Sequence, residues 1–147
     1  MKIYMDVCCL NRPFDDLSQN RVYLEAEAIL SFISDCESGK ASLISSGILD
    51  YELSRITNAD KAAQIYDIYA NATIRATLTE NAEKRAAYFR ENGIKLYDSL
   101  HLALAEQAEA DVFLSTDDNL IKLANKLEVS TKVFNPLKWL MEGSQNG

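Results

Sequence analysis

Lys2-Ile3-Tyr4-Met5-Asp6, at the head of the chain, has the pattern of a short buried strand that stops at a carboxylate. Ile3, Tyr4 and Met5 suit a pleated, covered surface. Asp6 does not, because an ionised carboxylate is costly to bury unless something offsets its charge. In an open parallel sheet, a central strand of this kind delivers its last residue to the carboxyl edge, where α/β proteins bind ligands. The question for the remaining sequence is which residues meet Asp6 there.

At 147 residues the chain can bury one proper core, and one domain spanning 1–147 is expected. An apolar fraction of 48% and a charged fraction of 25% fit an ordinary globular protein. No apolar run approaches the roughly 18 residues of a membrane span. The first strand begins at once, with no signal-peptide pattern before it, so a cytoplasmic location is expected. Cys8, Cys9 and Cys36 are odd in number, lack metal-ligand spacing and read as small buried hydrophobes. The net charge of -7 argues against holding nucleic acid on a broad basic surface. It leaves room for a site where bound cations reverse the local sign.

Working outward, Val7 to Asn20 reads as a loop in which Pro13 pushes Arg12 out of helical geometry. Arg21 to Glu37 is a helix with the stripe Val22, Ala26, Ile29, Leu30 and Ile33, stopped at Gly39. Ala41 to Ser45 is a strand, and Gly47 to Ile56 a short helix. Thr57 and Asn58 cap the next helix, which carries Ala62, Ile65, Tyr66 and Tyr69. Thr73 to Leu78 is a β-branched run and so a third strand. Thr79 caps a helix ending near Asn92-Gly93, and Tyr97 to Ala110 is the most apolar helix. Asp111 to Ser115 is a strand, Asp117 to Leu127 a helix, Lys132 to Phe134 a last strand, and Pro136 to Met141 a helical turn. Strands alternating with helices imply a parallel sheet covered on both faces.

The informative residues are acids that interrupt apolar faces. Glu52 has Ile48, Leu49, Arg55 and Ile56 as its helical neighbours, whereas Asp50 faces Ser46 and Ser54 and looks solvated. Asp98 shares a face with His101, Leu102 and Ala105 on the most apolar helix. Asp117 and Asp118 open the helix after the strand ending at Ser115, a place where Asp is also a common cap. If Asp6, Glu52, Asp98 and Asp117 converge, their mutual repulsion calls for a counter-charge. A hard divalent cation such as Mg²⁺ or Mn²⁺ supplies it through oxygen ligands. No cysteine–histidine set points to zinc.

These pieces together resemble the PIN-domain nucleases, in particular the VapC-type toxin ribonucleases. The matching stretches are Lys2 to Asp6, the helix of Glu52, Tyr97-Asp98-Ser99-Leu100-His101-Leu102-Ala103, and Leu114-Ser115-Thr116-Asp117-Asp118-Asn119-Leu120. The resemblance implies a three-layer α/β/α sandwich around a parallel sheet of four to five strands. It also implies Mg²⁺- or Mn²⁺-dependent cleavage of RNA, with the family's acids falling on Asp6, Glu52, Asp98 and Asp117. Ser115 falls where the family often has a hydroxyl near the metal, with Asp118 beside it. Homodimers and a small antitoxin partner are further implications. The dimer face would lie on the Tyr66–Tyr69 helix or the Arg21 helix. The chain departs from the family in one place: Val7 and Cys8 follow Asp6, where a hydroxyl residue and a small polar residue are usual.

The expected chemistry is metal-assisted hydrolysis of phosphodiester bonds. Asp6, Asp98 and Asp117 are the expected ligands, and Glu52 binds metal through water or orients the attacking water. Arg12 is the candidate phosphate contact, with a loop pairing to Asp15 or Asp16 as its alternative, and His101 reads as a helix-face residue. The alternative is a catalytically degenerate module that binds a metal or a partner. Receiver and haloacid-type phosphatase readings fail on position: the second strand ends in Ser45-Ser46, and Cys8 stands where the second phosphatase acid belongs.

Overall fold

In the computed structural model, which describes residues 1–143, the first strand, β1 (Lys2–Met5), is the middle of the sheet. Ile3, Tyr4 and Met5 are fully buried. The other strands are β2 (Ser42–Ser45), β3 (Ile74–Arg75), β4 (Val112–Leu114) and β5 (Lys132–Phe134), in the order β3-β2-β1-β4-β5. Every pairing is parallel. Ile3 lies opposite Leu43 on one side and Val112 on the other, and Met5 lies opposite Leu114.

The helices are α1 (Val7–Asn11), α2 (Asn20–Glu37), α3 (Gly47–Ser54), α4 (Ala59–Tyr69), α5 (Glu80–Glu91), α6 (Leu96–Gln107), α7 (Asp118–Asn125) and α8 (Pro136–Lys138). The last continues as a π-turn over Trp139–Gly143. They cover the sheet as the outer layers of an α/β/α sandwich, and Leu102, Ala103, Leu104 and Ala105 bury the centre of α6. Ser46, Asn58, Thr79 and Asn135 each cap a helix through their side chains. Gly39 and Gly93 take φ +84° and +99° just beyond α2 and α5, a region where a Cβ would be strained.

Three local expectations need correcting. Val7 to Asn20 is not all loop: Asp6 caps α1, and a 3₁₀ turn follows over Arg12–Phe14. Burial of Cys9 and Leu10 holds so short a helix. Pro13 does not expel Arg12 from helical geometry, which has φ -55° and ψ -41°. The Asp15 amide closes on the Arg12 carbonyl at 3.1 Å, and Pro13 sits in the first turn, where its missing N–H costs little. Among the cysteines, Cys9 is buried but Cys8 is exposed and Cys36 intermediate, all three free.

The strand order creates the site. The chain steps from β1 outward to β2 and β3, then returns to β1's other side as β4 and β5. Connections leaving β1 and β4 therefore diverge at the carboxyl edge, opening the crevice expected at a topological switch point. Asp6 follows β1, and Ser115 to Asp117 follow β4.

Candidate active site

Asp6 is only 5% exposed. Its carboxylate accepts the Cys9 amide at 2.9 Å, and the Ser115 hydroxyl lies beside it. The Ser115 Oγ in turn accepts the Asp117 amide at 3.1 Å. The hydroxyl that Val7 and Cys8 do not supply thus comes from the neighbouring strand. Burial pushes the Asp6 carboxyl above its ordinary range, against the Ser115 hydroxyl and the Cys9 amide.

Asp98 stands in the first turn of α6, half-buried. Among the described residues its carboxylate has no hydrogen-bond or ion-pair partner. Burial first, and the Asp6 charge next, raise its pKa; His101 opposes, while Asp117 and Glu52 add to the rise. Asp117 caps α7, its Oδ1 accepting the amides of Asn119 and Leu120 at 3.0 and 3.2 Å. Asp98 and Asp117 line one depression of about 30 Å³ with Lys95 and Asn119. Asp6, Asp98 and Asp117 also act together on Cys8, whose thiol is pushed up to about 12 by partial burial and then by these charges. Burial and these charges work against a thiolate there.

The structure brings these three acids into one electrostatic neighbourhood and puts Glu52 at its edge. Glu52 is engaged by His101, whose Nε2 meets Glu52 Oε1. The His101 Nδ1 lies 2.6 Å from the Tyr4 hydroxyl, which lies 2.8 Å from Ser46 Oγ. His101 is 2% exposed, so it belongs to the interior and not to an open helix face. Both members carried a legible signal: a tyrosine hydroxyl in a fully buried strand needs a polar partner, and so does the sole histidine on an apolar helix.

The remaining candidates are held elsewhere. Arg12 pairs with Asp15 at 3.1 Å and with buried Glu25 at 3.3 Å. Asp118 accepts both guanidinium nitrogens of Arg21, at 2.8 and 2.7 Å, turned away from the acids. Arg21 also reaches Glu25 at 3.1 Å. Asp50 is not merely solvated: Arg75 first, and Tyr69 with it, hold its pKa below the ordinary value. A cleft of about 690 Å³ is lined by Arg21, Glu25, Asp118, Phe134, Asn135 and Lys138.

Among the described residues, no three His, Cys, Asp or Glu side chains form a ready-made metal cage. The donor chemistry nonetheless fits a hard divalent cation. Asp6 is a buried carboxylate, Asp98 has no donor of its own, and no Lys or Arg among the described residues pairs with Asp6, Asp98 or Asp117. Such a cation takes one or two carboxylates and fills its other positions with water, so a partly open set suffices.

Two solved structures share this architecture. FitAcB from Neisseria gonorrhoeae aligns over 91% of this chain and 97% of its own, at 18% identity and a TM-score of 0.58. PAE2754 from Pyrobaculum aerophilum aligns over 99% of this chain and 90% of its own, at 17% identity and a TM-score of 0.56. At such identity the likeness is one of fold. No curated protein matches the chain significantly. The sequence profile of the PIN domain matches residues 3–126, a span that contains all four candidate acids. The chain therefore belongs to the PIN domain family.

Proposed function

We propose that this chain is a metal-dependent ribonuclease that hydrolyses RNA phosphodiester bonds, the toxin of a type II toxin–antitoxin pair. The observation that supports this reading is the group of three mutually repelling carboxylates, from β1, α6 and the start of α7, with no cationic side chain paired to them. Asp6, Asp98 and Asp117 are the residues that would hold Mg²⁺ or Mn²⁺. When bound, such a cation lowers the pKa of water and stabilises charge on phosphate oxygens.

The chain's own groups divide the remaining work. Ser115 fixes Asp6 and ties it to the Asp117 backbone. Glu52, whose Oε2 has no hydrogen-bond partner among the described residues, orients the attacking water. Arg12 offers a phosphate oxygen its Nη2, the nitrogen that neither Asp15 nor Glu25 takes. Asp118 supports this edge by anchoring α7 to α2 through Arg21. The protein is proposed to act in the cytoplasm as a single-domain homodimer, silenced by a small antitoxin. The homodimer and the antitoxin rest on the family resemblance.

The deciding assay is cleavage of RNA in Mg²⁺ and Mn²⁺ by the wild type, Asp6→Asn and Asp98→Asn. Cleavage by the wild type, lost by at least about a hundredfold in both variants, is the expected result. Equal cleavage by all three removes the site assignment. Metal binding by the wild type without cleavage leaves the second reading, a degenerate binding module, which the Val7-Cys8 departure motivates.

A further inference from the structure

Beside the acids runs a buried line of hydrogen bonds that the chemistry above does not use. Its beginning is fixed by the backbone. The Leu49 amide donates to Ser46 Oγ at 3.2 Å, as α3 requires of its cap. An amide can only donate, so it occupies a lone pair of that oxygen. Ser46 is fully buried, and the only other partner of its hydroxyl among the described residues is the Tyr4 hydroxyl, 2.8 Å away. The Ser46 proton therefore goes to the Tyr4 oxygen. Tyr4 then donates to His101 Nδ1 at 2.6 Å. That bond uses the one proton the Tyr4 hydroxyl carries. With Nδ1 accepting, the imidazole proton lies on Nε2, facing Glu52 Oε1. In the opposite direction the buried Ser46 proton has no acceptor. An Nδ1–H imidazole fares worse still, since it turns an Nε2 lone pair toward a carboxylate.

We propose that Tyr4 and His101 are positioning residues: the one-way relay from Ser46 through Tyr4 fixes His101 as the Nε2–H imidazole and holds the Glu52 carboxylate at the edge of the acidic site. The relay starts and ends on α3, since Ser46 caps that helix and Glu52 lies within it. Between those points it passes through β1, two residues before Asp6, and α6, three residues after Asp98. It therefore locks the helix of Glu52 to the two elements that carry Asp6 and Asp98. Outer hydrogen bonds of this type set both the tautomer and the orientation of the group they support. His101 does not exchange protons with substrate in this scheme.

The consequence for catalysis rests on the ribonuclease reading, but the relay itself does not. The chain has one histidine, so a long-range ¹H–¹⁵N correlation spectrum of the metal-free, ¹⁵N-labelled protein reports on His101 alone. The expected spectrum at mildly alkaline pH is that of the Nε2–H tautomer; Tyr4→Phe keeps that tautomer, because Glu52 still faces Nε2–H, and moves the Nδ1 resonance as its hydrogen bond is lost. An Nδ1–H pattern, a doubly protonated ring, or a spectrum indifferent to Tyr4→Phe overturns the proposal. In cleavage assays Tyr4→Phe should lose about tenfold in kcat with KM for RNA unchanged. His101→Gln, which can still donate to Glu52, should remain within a few-fold of wild type, while His101→Leu falls roughly a hundredfold. Equal losses in folded Gln and Leu variants overturn the positioning role. A wild type that cuts no RNA defeats the ribonuclease reading and leaves the spectrum to decide the relay.

Discussion

Asp6 does two jobs that pull in opposite directions. As a cap it orders the turn into α1 through the Cys9 amide. As a buried carboxyl it prefers its proton, because burial raises its pKa. A raised carboxyl pKa contributes stability at acidic pH, and that contribution is lost as pH rises through the folded value. Above that value the uncompensated Asp6 charge opposes folding until a cation offsets it. Asp6→Asn keeps an oxygen for the Cys9 amide and removes the charge. In chelator at neutral pH the variant should melt a few degrees above wild type, and in Mn²⁺ that order should reverse. A variant less stable than wild type in chelator would contradict the account of Asp6 as an uncompensated charge. These acids were legible in the sequence because each interrupts an apolar pattern. The Arg12 pairing with Asp15 was legible from their closeness in sequence, but its contact with Glu25 and that of Asp118 with Arg21 were not, because no local pattern reports them. The His101 contact to Tyr4 spans 97 positions, and no periodicity reports a pairing of that kind.

At the level of elements, α5 and α6 are joined by Arg85 and Glu106. The guanidinium gives two bonds to the carboxylate, at 2.9 and 3.0 Å, and a third to the Glu128 carbonyl at 2.8 Å. The same guanidinium lies 4.7 Å above the Phe89 ring. Burial works to raise the Glu106 pKa, but Arg85 and the Ser130 amide outweigh it and hold the value below the ordinary one. A lowered carboxyl pKa gives stability that is present above the unfolded value and lost as pH falls through the folded one. Glu106→Gln should therefore cost about 2 kcal/mol at neutral pH and progressively less as pH falls through the folded value, read from urea unfolding at neutral and at acidic pH. An equal cost at both pH values would assign the effect to packing. Most elements could be read from the sequence because caps and apolar stripes are local, as at Asn58, Thr79 and Gly93. Two were misjudged. α1 depends on a cap that looked like a strand-end ligand, and β3 keeps regular pairing only over Ile74–Arg75 at the sheet edge.

Over the whole molecule, a net charge of -7 surrounds a site proposed to receive a polyanion. Among the described residues no helix is long and apolar enough to cross a membrane. If RNA is held mainly through a bound cation and Arg12, few counterions are released on binding. The affinity of Asp98→Asn for a short single strand should then fall with salt at a log–log slope of roughly -1, the value for one or two phosphate contacts. A slope steeper than about -4 would reveal an extended basic track and displace Arg12 from its assigned role. The strand alternation announced the parallel sheet, but the placing of β1 between β2 and β4 is a long-range fact no local pattern contains. That central placement reaches back to the ribosome. Ile3 cannot meet Val112, nor Asp6 meet Ser115, until the last third of the chain has been translated. At ordinary elongation rates Asp6 and Asp117 are made on the order of ten seconds apart. A nascent or prematurely ended polypeptide that stops short of Asp117 thus carries the first acid without the last, and without the β4 edge that lies beside it.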